Sequence, residues 1–514
     1  MTHPPSADSR AVAKITRTEL IVGMEVHVEL RTRAKVFASA ASPAHPDHHE
    51  APPNSLIDPV VLGLPGALPV LNEHAVELSA RVGLALGCTI ASRTKWDRKS
   101  YFYPDLPKAY QISQYDQPVC AHGSVEVLGD DGASIRTVRI LRAHLEEDAG
   151  KLLHEAPGGA PIDGSLVDLN RAGTALLEIV TEPDFRTGEE CERFARSLRR
   201  LCRHLGATEG VMQAGHMRFE PNINLELTLA DGATVRTPIV EVKNLNSFRA
   251  LRGAVEYEAG AQTQRWRDDG RVFGIGTKAT RGWDEVRGVT TPQREKEDAH
   301  DYRYFPDPDL PEIVLDDAWI DRVRADLCEH PDARLRRWMS DRGLSMKDAE
   351  ALIEERATAD LYDAAVDEAP ACARTVTNLL LQSAAKRANE RGVELHALGL
   401  TATQVASIAR LRDDGAVSAA AADELIGLVM SGGKDAGEDP ARIAERRGMV
   451  VVRDESQLAA WCDEVLAEFP DIARQIRDGK AQAAGRLIGA VMKKSGGQAD
   501  AKRVREMLLE RIGS

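Results

Sequence analysis

Gly23-Met24-Glu25-Val26-His27-Val28-Glu29-Leu30 alternates apolar and polar side chains from Met24 to Leu30. A period of two is that of a strand, so Met24, Val26, Val28 and Leu30 share a core-facing side. Glu25, His27 and Glu29 then line the other side. Two carboxylates and an imidazole on one rigid strand can hold a divalent cation, although Mg2+ favours oxygen donors. The same pattern equally suits a half-buried strand whose wet face does no chemistry.

Outward from this strand, β-like runs recur at residues 125–127, 135–141 and 223–229, interleaved with helical segments. In residues 189–205, Phe194, Leu198, Leu201 and Leu205 fall at helical spacing. The mixture predicts an α+β domain with a mainly antiparallel sheet. Residues 1–17 read as a flexible tail and 18–311 as this first domain. Its end is the run Phe305-Pro306-Asp307-Pro308-Asp309-Leu310-Pro311, which can continue neither a helix nor a central strand. Beyond it the chain turns helical, with one all-α domain over 312–400, including a helix over 346–357, and another over 401–514. A chain of 514 residues is too long for one hydrophobic core.

Acids concentrate in the first domain. His144-Leu145-Glu146-Glu147-Asp148 is followed by Lys151 and His154, and Asp168, Glu178, Glu182 and Asp184 come soon after. If residues 178–184 are a strand, Glu178 and Glu182 face the same way. Segments this acidic repel one another, so a fold that gathers them calls for a cation. Aromatics are sparse, yet eight Tyr and Phe of the 23 aromatics lie in two echoing segments, 96–115 and 301–311, interleaved with Arg98, Lys99, Lys108 and Arg303. Such segments can stack a base or clamp phosphate, or form core with polar tips.

The net charge of -14 argues against nucleic acid binding over the whole surface, since phosphate contacts need Lys and Arg. Residues 479–514 are the exception: eight basic residues face three acidic ones, a local excess of five. That excess fits a solvated helix face or an RNA-backbone patch. The seven cysteines form no CxxC pair, which speaks against a disulfide scaffold or a structural zinc site. No apolar run spans a membrane and no signal peptide is evident, so cytoplasmic placement is expected. There is no GxxxxGK[ST] loop and no GxSxG elbow; Gly274-Ile275-Gly276-Thr277-Lys278 is only a Gly-rich turn. If ATP is used, its phosphates are held through carboxylates and metal rather than a P-loop.

Several of these strings together resemble the GatB family, the B subunits of aspartyl/glutamyl-tRNA amidotransferases. They are residues 23–30 (GMEVHVEL), 62–72 (LGLPGALPVLN), 98–116 (RKSYFYPDLPKAYQISQYD), 144–154 (HLEEDAGKLLH), 168–184, 241–249 (EVKNLNSFR) and 294–310. The resemblance implies a cradle-shaped, glutamine-synthetase-like catalytic domain followed by two helical domains, the last contacting tRNA. It implies ATP-dependent phosphorylation of the side-chain carboxylate of Glu-tRNA(Gln) and/or Asp-tRNA(Asn). Ammonia then arrives from a separate amidase/glutaminase subunit, with a small third subunit completing a heterotrimer. Carried over by position, Glu25, His27, Glu147 and Glu178 would surround Mg2+ or Mn2+, with Glu146 and Glu29 beside them. Glu147, His27, Lys99 and Lys108 would be catalytic, the lysines along the ammonia route. In the tail, Lys493, Lys494, Arg503 and Arg505 would meet tRNA. The family's Cys pair ahead of LGLPG is replaced here by Ile57-Asp58-Pro59-Val60-Val61, so no zinc is expected. A GSLRCDAN-like loop becomes Gly215-His216-Met217-Arg218-Phe219-Glu220-Pro221-Asn222, and an Asn-Trp pair becomes Asn378-Leu379. Two other readings are a non-catalytic tRNA-binding scaffold of the same complex and a stand-alone ligase acting on a small acid with free ammonia.

Overall fold

The structure, a computed structural model, describes residues 14–156, 158–295, 302–430, 435–477 and 481–513. Most of the expected 1–17 tail, Asp301, residues 431–434 and Lys480 lie outside them.

The decisive stretch sits in a long strand, Ile15–Glu29, at the centre of a ten-stranded sheet. On one side it pairs with Met217–Leu229, which leads on to Val240–Lys243, Ala279–Asp284 and Val289–Glu295. On the other lie Ala175–Thr181, Ile135–Glu147, Cys120–Leu128 and Thr89–Ile90. All neighbours are antiparallel except Val240–Lys243 with Ala279–Asp284. The mainly antiparallel α+β expectation is met.

Val22, Met24, Val26, Val28 and Leu30 are buried, as the alternation requires. They share one core with helices Glu73–Ala85, Gly188–His204 and Phe248–Asp269, through Leu78, Phe194, Leu198 and Leu251. The Gly188–His204 helix begins where Thr187 accepts a hydrogen bond from the Glu190 amide, and Ser247 caps Phe248–Asp269 in the same way. With the helices on one face, the polar face of the sheet is left for other work.

The two aromatic segments meet. Phe305–Pro306 adds an edge strand to Asp97–Ser100, which pairs with Tyr110–Ser113. A proline is tolerated there because an edge strand has no outer partner to serve. Tyr115 stacks on Tyr304, their centroids 4.5 Å apart, and the Arg98 guanidinium lies 4.3 Å from the Tyr110 ring centroid.

One compact unit ends at Arg336 and a second begins at Arg337, so the division falls later than Pro311. The reason is local: Ile313–Val314 pairs with Arg93–Thr94, and Asp332 accepts hydrogen bonds from Ser197 and Arg200. Among its described residues the second unit is helical apart from isolated bridges, and its last stretch has its own core around Leu458, Leu487, Val491 and Leu508. The helix expected over 346–357 stops at Ile353, and a new one starts at Arg356, because Glu355 is extended (φ -115°, ψ 129°). No helix among the described residues is long and apolar enough to cross a membrane.

Candidate active site

Antiparallel register lines four side chains into one row across the polar face: Arg218, His27, Glu178 and His144, on successive strands. One step along the sheet, Leu176 lies opposite both Glu29 and Glu146. Ligand atoms of His27, Glu146 and Glu178 lie within 4.8 Å of one another. His27 Nε2 is 3.4 Å from Glu178, and His144 Nε2 is 3.6 Å from Glu146 and 3.7 Å from Glu178. Burial alone would raise the Glu178 carboxyl; the imidazoles of His144 and His27 overcome it and hold the group far below the carboxylate range. Burial likewise works against a charged His27, yet Glu178 outweighs it and raises the imidazole above its ordinary value. Lys99, its ammonium 4.9 Å from the Tyr302 ring centroid, is held up against burial chiefly by Glu146.

The three consecutive acids point to three different destinations. Glu146 joins the row just described and accepts from Ser113 Oγ at 2.8 Å. Glu147 turns to the opposite face, where Lys108 Nζ lies 2.5 Å away and the Ile112 amide donates at 2.9 Å. Asp148 pairs with Arg218 and lies 3.5 Å from Arg171. Gly63 of the LGLPG string makes Lys108's position possible: it sits at φ 64°, and a Cβ there would lie 3.1 Å from the Lys108 backbone. The structure therefore separates Glu147 from His27 and Glu178 and puts Glu146 with them. Leu145 lies in the core and alternation carries His144 and Glu146 to the polar face, a signal present in the sequence.

Glu25 belongs to a second group with Glu220 and Glu241, again within 4.8 Å. Here Lys243 Nζ lies 2.6 Å from Glu220 and 3.4 Å from Glu241, while Asn222 donates to Glu25 at 2.9 Å. Sequence reading missed Glu220 and Glu241 because they come from strands whose pairing partners no local pattern specifies. Glu182 does not join Glu178: the strand ends at Thr181 after a register shift. Glu29 is 4% exposed, its Oε1 has no hydrogen-bond partner, and burial with Asp148 pushes the carboxyl up to about 8.

The donor set of His27, Glu146 and Glu178 fits a divalent cation. Among the described residues, both carboxylates make ion-pair contacts with imidazoles alone, and the buried His27 Nδ1 has no hydrogen-bond partner. Beside this row opens a cavity of about 610 Å³, bordered by Glu29, His216, Arg218 and Lys243. In the second unit, Lys493 and Lys494 end the helix Ala484–Lys494, and Arg503 and Arg505 lie on Ala501–Gly513. Lys494 pairs with Glu464 at 2.7 Å and Arg503 with Glu455 at 2.7 Å.

Two family models match the sequence of this chain. Residues 20–321 match the GatB/GatE catalytic domain and residues 360–512 the GatB domain. Similar curated proteins are named as B subunits of aspartyl/glutamyl-tRNA(Asn/Gln) amidotransferase. One, from Thermomicrobium roseum, is 42% identical over 96% of this chain and 98% of its own. Another, from Anaeromyxobacter sp., is 40% identical over 96% of this chain and 99% of its own. The chain belongs to the GatB family.

Proposed function

We propose that this chain is the part of a tRNA-dependent amidotransferase that activates the side-chain carboxylate of Glu-tRNA(Gln) and/or Asp-tRNA(Asn) with ATP. It is a carbon–nitrogen ligase that takes its amide nitrogen from glutamine. It works in a heterotrimer with an amidase/glutaminase subunit, which releases the ammonia, and a small third subunit. A carboxylate oxygen of the aminoacyl group attacks the γ-phosphorus, the bond to the ADP oxygen breaks, and an acyl phosphate forms. Ammonia then attacks the acyl carbon, the bond to phosphate breaks, and loss of a proton leaves the amide. Activation is needed because ammonia cannot displace oxide from a carboxylate, whereas phosphate leaves readily.

The observation that carries this reading is the convergence of His27, Glu146 and Glu178 from three adjacent strands. Mg2+ or Mn2+ held there would neutralise charge on the transferring phosphoryl group. Within the proposal, Lys99 adds a fixed positive charge beside Glu146 and orients the phosphoryl oxygens. Lys108, paired with Glu147, holds or passes a proton where ammonia arrives. His144 fixes the Glu146 and Glu178 carboxylates in place. Lys493, Lys494, Arg503 and Arg505 contact the tRNA backbone.

Glu178→Gln tests the reading in the assembled complex. ATP hydrolysis driven by Glu-tRNA(Gln) should fall by at least about 10²-fold, with tRNA affinity within about twofold of the parent. Turnover retained in this variant refutes the assignment and favours the scaffold reading.

A further inference from the structure

The helix-covered face of the large sheet carries a charged group that the chemistry on the polar face does not use. Glu258, on the helix Phe248–Asp269, is 0% exposed. Its carboxylate meets two guanidiniums. Arg265 on the same helix pairs with it directly, and Arg281 Nε, on the strand Ala279–Asp284, lies 3.5 Å away. Gln262 donates to it at 3.2 Å, and the Thr290 hydroxyl donates as well. One carboxylate thus answers two arginines. Burial and the nearby Arg265 pull Arg281 below the ordinary guanidinium value, and Glu258 and Tyr257 offset this only in part.

Both guanidiniums line a cavity of about 110 Å³, together with Arg271, Asp269 and Trp266. Arg281 lies opposite Val242, whose side chain is in the core, so it projects from the face away from His27 and Glu178. Arg265 donates through Nη2 alone, and Arg281 through Nε and Nη2. The Nη1 groups of both have no acceptor among the described residues. Trp266 is 1% exposed, and its indole Nε1 is buried without a hydrogen-bond partner. Guanidinium and indole nitrogens only donate, so a ligand here must be rich in acceptors. A buried donor left unmatched costs free energy that such a ligand recovers.

Size and charge narrow the class. The volume is more than three times the ~30 Å³ share of one water in the liquid, yet well below the ~300 Å³ at which drug-sized sites begin. One tetrahedral oxyanion fits, and a nucleotide does not. Three guanidiniums face two carboxylates, Glu258 and Asp269, a surplus of one positive charge. The carbonyl end of the helix returns about half a charge, so the balance stays positive.

We propose that this cavity binds a free tetrahedral oxyanion of the phosphate class, its oxygens taken by Arg265, Arg281 and the Trp266 indole, with Arg271 on the exposed side. The anion ties the end of the helix to the strand Ala279–Asp284 and steadies that corner of the sheet. The site does not depend on the activity proposed above.

Nuclear magnetic resonance of the 15N-labelled full-length chain tests it. Six tryptophans give six indole N–H resonances, and Trp266→Phe identifies the one that matters. Inorganic phosphate should move that resonance saturably, with a Kd of about 1 mM, while chloride at matched ionic strength leaves it in place. Arg281→Gln should weaken phosphate about tenfold, since a charge-assisted contact is lost. Arg271 is exposed, so Arg271→Gln spares the core; it should weaken phosphate about threefold and keeps the test decisive if Arg281→Gln does not fold. Phosphate bound only on the polar face would leave the Trp266 resonance where it was. That result overturns the proposal, as does an equal response to chloride or an unchanged titration in both arginine variants.

Discussion

Two carboxylate groups lie side by side on one sheet face, and they differ in what answers their charge. Glu25, Glu220 and Glu241 are met by Lys243, whose ammonium is pushed well above its ordinary range by Glu220 and Glu241 against the effect of burial. That group is closed by a permanent cation. Glu146 and Glu178 contact imidazoles, which are themselves metal ligands and carry charge only when protonated. Acid density alone therefore does not distinguish the two groups; the direct counter-charge does, an ammonium in one and imidazoles in the other, with Lys99 farther off.

The sharpest way to break this comparison is a Mn2+ titration followed by electron paramagnetic resonance. Glu146→Gln should weaken Mn2+ binding by more than about tenfold, and Glu241→Gln by much less. Equal losses would erase the distinction between the two groups. A second test is Glu147→Gln, which leaves Lys108 buried without its partner. Urea unfolding should show a loss of about 3–5 kcal/mol, with Mn2+ affinity unchanged within about twofold. A large Mn2+ effect would return Glu147 to the ligand set.

The smallest effect concerns Glu29, a buried carboxyl beside Asp148. Its folded pKa of about 8 lies above the ordinary 4.5, so between these values the folded chain binds more protons than the unfolded one. Its contribution to stability is full below pH 4.5 and is lost as pH rises through about 8. Asp148 strengthens the shift, and Arg218 and Arg171 oppose it. Glu29→Gln should flatten the decline in unfolding free energy over that window; an unaltered slope would mean that Glu29 is already ionised.

Alternation made the polar face of residues 23–30 legible, because every core-facing position there is strongly apolar. The break before Arg356 was hidden, since residues 346–357 are all compatible with helix and only the extended Glu355 interrupts them. Glu220 and Glu241 reach Glu25 through long-range strand pairing, which depends on contacts no local pattern encodes. Family position groups Glu147 with the cation, whereas Leu145 in the core sets a strand phase that carries Glu147 to the opposite face. The later division between units follows from Asp332, whose hydrogen bonds to Ser197 and Arg200 no proline-rich boundary marker reveals.

The divergence of Glu146, Glu147 and Asp148 has a consequence for how the strand is kept in place. A one-residue slip would send Glu147 toward the imidazoles and Asp148 toward Lys108, carboxylate for carboxylate, so Coulomb attraction at those two places barely discriminates between the alignments. What opposes the slip is apolar: it would eject Leu145 and drive His144 inward. The hydrogen bonds from the Asp148 amide to Thr174 and from the Gly173 amide to Asp148 would also have to break. A greasy side chain that touches no substrate thus decides which acid faces the chemistry.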